Sequence, residues 1–296
     1  MAIGFIGLGA MGAPMVRHLA KAGQDLHVFD TNPAALEAAA ALGATVCPSA
    51  AAVGHAAEAV LVCLPTPDIV RQVVLGPGGV IEGSKVRICV DHSTTGPSAA
   101  REIADRLAGR GITALDAPLA GGVSGAQAGT LSVMVSGETW AYEALAPVFR
   151  SFGRHVVHVG TGVGQGQALK LINNMIVGAN LVAASEAILF GVRFGLSADA
   201  ILDMLNASTA RSFVTESILA DRILDRRFDF GFRLELMRKD LRLCVAEAEA
   251  AGAPMLICAL AKQLYELAHA HGGGQDDMTV VVKELERAAG AEIARS

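Results

Sequence analysis

The segment Gly7-Leu-Gly-Ala-Met-Gly12 constrains this chain more than any other, because its three glycines leave an apolar run, Ile3–Ile6, and open a helical one, Met11–Ala22. In a strand–turn–helix unit the first glycine permits the tight turn. The second lets the backbone approach a pyrophosphate, and the third lets helix and strand pack closely. The free N–H groups and the dipole at the helix start then face the phosphates. Gly7, Leu8, Gly9, Ala10, Met11 and Gly12 are therefore expected to hold a dinucleotide. A glycine-rich turn that binds nothing is the alternative, and Asp30, ending the next apolar run Leu26–Phe29, favours the first reading. A carboxylate there accepts hydrogen bonds from the 2′- and 3′-hydroxyls of the adenosine ribose and repels a 2′-phosphate. Thr31 and Asn32 add no cation to bind such a phosphate, so NAD is expected rather than NADP. A strand-end helix cap is the other role open to Asp30.

The first half continues to alternate short apolar runs with helical patterns. Strands are expected at Val60–Leu64, Val86–Val90, Ile112–Leu115, Thr130–Ser136 and Val156–Val159. Helices are expected at Pro33–Leu42, with Asn32 as N-cap and Pro33 at the first helical position, at Ser98–Ala108 and near Trp140–Phe149. Such alternation implies a parallel, doubly wound sheet with right-handed crossovers. Near Gly160 the character changes, and long helical patterns follow: Ala168–Phe194, Ala198–Asn206, Glu235–Ala251, Pro254–His269 and Met278–Ala288. The fold class expected is α/β, a Rossmann-type doubly wound domain over residues 1–162, joined to an all-helical domain over residues 163–296. The reactive site is expected where the two meet.

A chain of 296 residues with 52% hydrophobic and 18% charged residues suits two globular domains. The net charge of −5, with no basic run, argues against a nucleic-acid partner. The five cysteines are scattered and form no Cys-x-x-Cys pair, which reads as a reduced, cytoplasmic protein with inert thiols; Cys63 and Cys89 read as small core residues. The histidines show no paired ligand spacing, so no metal is expected. Neither a signal peptide nor a membrane span is expected, because the longest apolar stretch, Leu171–Phe190, carries Asn173, Asn174, Asn180, Ser185 and Glu186.

Lys170 begins a second constellation, with Asn173 and Asn174 at i+3 and i+4 on one helical face amid apolar neighbours. A lysine in a partly desolvated cleft can exchange a proton with a substrate hydroxyl. Spacing alone favours a surface lysine.

The segment Gly166-Gln-Ala-Leu-Lys170-Leu-Ile-Asn173-Asn174 resembles the catalytic stretch of the β-hydroxyacid dehydrogenase family. The resemblance also runs through Gly4–Gly12, Leu64-Pro65, Asp91-His-Ser-Thr94, Asp116–Gly122, Gly125-Ala, Gly129-Thr-Leu131 and Lys239-Asp240, in order along nearly the whole chain. It implies reversible hydride transfer between NAD and a small hydroxyacid, a 3-hydroxyacid giving its semialdehyde. Lys170 would be the general acid/base and Asn174 would hold the substrate. Gly121 and Gly122 would offer backbone N–H groups to its carboxylate. Leu64, Pro65 and Thr94 would line the ribose and nicotinamide side of the cofactor, and Lys239, with Phe232 against it, would lie near the nicotinamide. A solvated Lys239 paired with Asp240 or Asp229 is the alternative. Family members assemble through the helical region, which implies a homodimer or homotetramer.

One position departs from the family. Where relatives read Asp-Ala-Pro-Val-Ser-Gly-Gly, this chain has Ala120 in place of the serine that donates a hydrogen bond to substrate. A bulkier acid, or a substitute donor such as Ser124, would follow. Arg211, in a Ser/Thr-rich stretch, reads as a surface residue in preference to a carboxylate anchor. Two other readings are set beside the dehydrogenase: an NAD-binding sensor or scaffold without catalysis, and an imine reductase-like enzyme. The presence of Lys170 argues against the first, and the intact Lys-x-x-Asn-Asn segment with Asp30 against the second. A decarboxylating sugar-phosphate dehydrogenase is disfavoured by the short chain and the lack of a phosphate-binding arginine cluster.

Overall fold

The computed structural model describes residues 1–295, which divide into two compact units, 1–170 and 171–295. In the first unit, strands β1 (Ile3–Ile6), β2 (Leu26–Phe29), β3 (Thr45–Val46), β4 (Ala59–Val62), β5 (Ile88–Asp91) and β6 (Thr113–Asp116) lie in the order β3-β2-β1-β4-β5-β6, all parallel. This is the dinucleotide-binding strand order. Alternate residues of β1 face opposite sides, as the pleat requires. Ile3 and Phe5 join a core with Met15 and Leu19, while Ala2 and Ile6 join another with Val53, Val70 and Val74. Burial on both faces is why β1, β4 and β5 read as continuous apolar runs.

The sheet then leaves the parallel pattern expected of it. Strand β8 (Leu131–Gly137) runs antiparallel to β6 and to the short β7 (Leu119–Ala120), and parallel to β9 (Gly153–Gly160). The turn region 117–130 that permits this reversal holds β7 and α6 (Gly122–Ala128), neither of which the sequence pattern announced.

Several helices begin at a side-chain cap. In α1 (Gly12–Lys21) no side chain caps the N-terminus. In α2 (Pro33–Ala40) the Asn32 side chain accepts from Ala34 N–H and Pro33 opens the helix. Helices α3 (Ala50–Ala56) and α4 (Pro67–Leu75) were not expected, although Ser49 and Thr66 cap them and Pro67 opens the second. Helices α5 (Pro97–Ala108) and α7 (Thr139–Arg150) flank the later strands.

Helix α8 (Gln165–Arg193) starts in the first unit and continues into the second. The expected domain boundary, 162/163, falls just ahead of it. By length and composition α8 could cross a membrane, yet 44% of its most apolar window is buried within the protein. The second unit adds α9 (Ala198–Asn206), a π-helical turn over Val214–Ile223, α10 (Leu234–Ala250), α11 (Leu256–Ala270) and α12 (Val282–Ala289). Its core holds Leu171, Met175, Ile188, Met237, Leu241 and the fully buried Tyr265.

Candidate functional site

The turn after β1 has the geometry of a phosphate cradle. Gly7 has φ +98°, and a Cβ there would lie 2.3 Å from the Cys63 carbonyl oxygen. A Cβ on Gly12 would lie 1.9 Å from the Gly7 oxygen, whereas one on Gly9 would meet nothing within 4 Å. Gly7 and Gly12 are thus required by the fold itself, and Gly9 leaves open space over the loop. No side chain caps α1, and of its first residues Ala13 N–H donates to the Gly9 carbonyl at 3.0 Å while Pro14 has no N–H. Asp30 is fixed from both sides: Oδ2 accepts from Leu8 N–H at 2.6 Å and Oδ1 from Asn32 N–H at 2.8 Å. Each oxygen keeps a lone pair for a further donor. These features fit a dinucleotide.

A second cluster gathers at the carboxyl ends of β4, β5 and β6. Asp91 accepts from Ser93 N–H at 2.8 Å and from the Thr95 hydroxyl at 3.0 Å, and burial pushes its carboxyl up to about 6. Asp116 accepts from the Ser136 hydroxyl, from Gly164 N–H at 2.7 Å and from Gln167 N–H at 2.8 Å; burial raises its pKa as well. Ser93 Oγ accepts from Leu64 N–H at 2.9 Å, and Ser136 Oγ from Gly166 N–H at 2.9 Å. The loops bearing Leu64, Pro65 and Thr94, and the first turn of α8, one turn ahead of Lys170, are tied to one buried polar network. His92, between Asp91 and Ser93, donates from Nδ1 to the Ala117 carbonyl and meets Phe149 and Phe152 edge-on. Burial lowers its pKa to about 4. Burial likewise pushes the Cys63 thiol up to about 12 and raises that of Cys89, which keeps both inert.

In the second unit, Asp240 is 2% exposed and holds two side chains. Its Oδ2 accepts from Asn174 Nδ2 at 2.6 Å, and Lys239 Nζ lies 3.0 Å from its Oδ1. Asn173 donates in turn to Asn174 Oδ1 at 3.1 Å.

Two family models cover the chain: the NAD-binding domain of 6-phosphogluconate dehydrogenase over residues 2–160, and the NAD-binding domain of NADP-dependent 3-hydroxyisobutyrate dehydrogenase over residues 164–285. The 2-(hydroxymethyl)glutarate dehydrogenase of Eubacterium barkeri is 36% identical over 99% of this chain and 97% of its own. The 2-hydroxy-3-oxopropionate reductase of Escherichia coli is 36% identical over 99% of this chain and 100% of its own. The chain belongs to the β-hydroxyacid dehydrogenase family. A solved 3-hydroxyisobutyrate dehydrogenase of Mycobacterium tuberculosis with L-serine superposes at TM-score 0.86, with 32% identity over 96% of this chain and 98% of that one.

Against the family pattern, Gly121 (φ +118°) and Gly122 (φ +61°) adopt conformations that favour glycine, at the turn between β7 and α6. Lys170 is half-buried, and Asn174 is buried while Asn173 is exposed, so the face expected to carry all three is divided. The 40° between positions i and i+4 of a helix keeps Asn174 closer than Asn173 to the line of Lys170. Phe232 is half-buried against the second unit's core, and its N–H donates to Asp277. Lys239 is 21% exposed and paired with Asp240, the alternative partner read from the sequence. Arg211 is exposed, 3.6 Å from Glu216.

At the departing position, Ala120 lies directly opposite Ser132 in the β7–β8 pair. Opposed residues in an antiparallel pair point to the same face. Ser124 is exposed on α6, its hydroxyl 3.4 Å from the Gly121 carbonyl. Sequence reasoning gave no role to Gln167, Asp116, Ser93 or Ser136, and to Asp240 only that of a partner for Lys239. For Gln167 the signal was a polar residue one helical turn before Lys170 amid apolar neighbours, which needs a partner if buried.

Proposed function

We propose that this chain interconverts a small 3-hydroxyacid and its semialdehyde with NAD as cofactor. The observation carrying the reading is the buried network that ties the first turn of α8, one turn ahead of Lys170, to the loops bearing Thr94 and Leu64, beside a glycine cradle fit for a dinucleotide. When bound, the nicotinamide supplies the hydride acceptor. Gly7, Leu8, Gly9, Ala10, Met11 and Gly12 hold the pyrophosphate, and Asp30 receives the adenosine ribose hydroxyls. Lys170 Nζ takes the hydroxyl proton as the carbinol carbon is oxidised, and returns it to the carbonyl oxygen in the reverse direction. Such proton transfer contributes about 10²–10⁴-fold. Gly121 and Gly122 bind the carboxylate, and Asn174, oriented by Asp240, holds the substrate. Leu64, Pro65, Thr94, Phe232 and Lys239 complete the cofactor surroundings.

Two features support NAD over NADP: the clamped Asp30 carboxylate, and the absence of Lys or Arg at positions 31 and 32. Ser132, facing Ala120, is better placed than Ser124 to replace the serine the family has. A reduced, cytoplasmic homo-oligomer fits the five free cysteines and the exposed apolar side chains of Ile172, Ile176, Leu256, Ile257 and Leu260. In this reading residues 1–162 hold most of the cofactor, and residues 163–296 supply Lys170 and Asn174 and serve substrate and assembly.

NADH formation by the purified protein, followed by absorbance, tests this reading. The panel is 3-hydroxyisobutyrate, 3-hydroxypropionate, glycerate, L-serine, 4-hydroxybutyrate and threonate, with NADP in parallel. Turnover with NAD at least tenfold faster than with NADP is expected. Preference for NADP would overturn the role of Asp30, and binding of NAD without turnover of any acid would favour the non-catalytic sensor. Ala120→Ser should reorder preference across the panel without changing NAD affinity, and Ser132→Ala should weaken substrate binding more than Ser124→Ala.

A further inference from the structure

Gln167 stands one helical turn before Lys170 and is fully buried, yet none of its polar atoms is wasted. Its Oε1 accepts from Thr95 N–H at 2.9 Å and Gly96 N–H at 3.2 Å. Its Nε2 donates to the Ser93 carbonyl at 2.8 Å, and its main-chain N–H donates to Asp116 at 2.8 Å. One carboxamide therefore reads three backbone groups of loop 93–96, and Thr94 lies inside that loop. Through Ser93 Oγ the same loop holds Leu64 N–H at 2.9 Å. Helix α8 thus meets the loop after β5, and through it the loop after β4, by way of the Gln167 side chain, placed at i−3 from the lysine.

We propose that Gln167 is a positioning residue for the reaction, setting Lys170 in register with the loop that carries Thr94. The proposal rests on Lys170 as the proton carrier. An angular error of one residue at the start of a helix moves the next turn's side chain by ångströms, and a misplacement of about 1 Å can cost about 100-fold in rate. A carboxamide is suited to the task because it accepts and donates at once. Its isostere, a carboxylate, accepts from Thr95 and Gly96 but repels the Ser93 carbonyl. A neutral carboxylic acid restores the donor.

That asymmetry supplies the test. In Gln167→Glu the introduced carboxyl is buried beside Asp91 and Asp116, with His92 in the same loop and Lys170 one turn on. The two aspartates and burial favour its neutral form, while Lys170 opposes this. We expect the ratio of variant to wild-type kcat with 3-hydroxyisobutyrate or L-serine and NAD to lie within about threefold of unity at the acid end of the active range. It should fall at least tenfold as pH rises and the new acid ionises. KM for NAD should stay within about threefold throughout, and Gln167→Met should show the low kcat at every pH where it folds. Circular dichroism of Gln167→Glu across the same pH range separates loss of fold from loss of rate. A ratio that is flat with pH and near unity would overturn the proposal, as would equal losses in kcat and in NAD affinity. Lys170→Ala, run alongside, isolates the underlying reading: if that variant keeps turnover, or the wild type turns over no acid of the panel, the assignment of Lys170 fails and the positioning role with it.

Discussion

The two compact units bury polar groups by different means. In residues 1–170 the buried carboxylates of Asp91 and Asp116 are met mainly by backbone N–H groups and hydroxyls, from Ser93, Thr95, Ser136, Gly164 and Gln167. In residues 171–295 the buried acids meet charged or amide side chains: Asp240 holds Lys239 and Asn174, Glu284 meets His271 and Arg287, and Glu286 meets Arg226. Neutral donors fix loops, and there burial outweighs them in raising the carboxyl pKa of Asp91 and Asp116. Charged partners fix helix faces. The first arrangement suits a region where loops carry reactive groups, and the second suits a helical scaffold.

The largest effect that could break this contrast is at Asp240. Asp240→Ala removes the carboxylate that lies 3.0 Å from Lys239, which is 21% exposed, and the acceptor of the Asn174 amide. Breaking a largely buried pair should destabilise the protein by about 3 kcal/mol in denaturant unfolding, at the low end for such pairs because of that exposure. A loss below about 0.5 kcal/mol would show that charged partners are not structural here.

The first unit responds instead to pH. Burial moves Asp91 from 3.8 to about 6, so the folded state binds its proton more tightly than the unfolded chain does. Its contribution to stability is present at low pH and is lost as pH rises from about 4 through 6. His92, lowered from 6.5 to about 4, has the opposite sign: folding gains as pH rises across that window. Asp91→Asn removes the first term and keeps the second. Relative to wild type, the variant should therefore gain roughly 3 kcal/mol between pH 4 and 6.5, read by thermal or urea unfolding. Parallel pH profiles for the two proteins would contradict the neutral-donor account.

A smaller effect sharpens the comparison within the first unit. Gly9→Ala places its Cβ in open space, so stability should stay within about 0.5 kcal/mol. NADH affinity, followed by fluorescence titration, should weaken at least tenfold, because the backbone approach to the pyrophosphate is closed. Unchanged affinity would remove Gly9 from the cofactor cradle.

Much of the first unit was legible because parallel strands buried on both faces announce themselves as apolar runs, and because the glycine spacing has few other uses. Strands β3 and β7, of two residues each, carry no periodicity to read. The antiparallel return of β8 was hidden for a related reason: direction follows from the turn at Gly121 and Gly122, whose left-handed backbone no hydrophobic pattern reveals. Helix α4 was missed despite a readable Thr66-Pro67-Asp68 start. The π-helical turn at 214–223 has no pattern that spacing by three and four could detect. In the candidate site, Lys170, Asn174 and Asp30 stood out by motif. Gln167, Asp116 and Asp240 act through partners distant in sequence, by 51 residues for Asp116 and Gln167 and by 66 for Asn174 and Asp240. Those pairings exist only once the chain has folded.

The central claim, that Lys170 moves the substrate proton, is tested most directly by comparing Lys170→Ala with wild type in NAD-dependent oxidation of 3-hydroxyisobutyrate or L-serine, with NADH binding titrated on both proteins. A fall in kcat of about 10²–10⁴-fold with NADH affinity unchanged within threefold is the predicted result. Turnover within a factor of a few of wild type would contradict it.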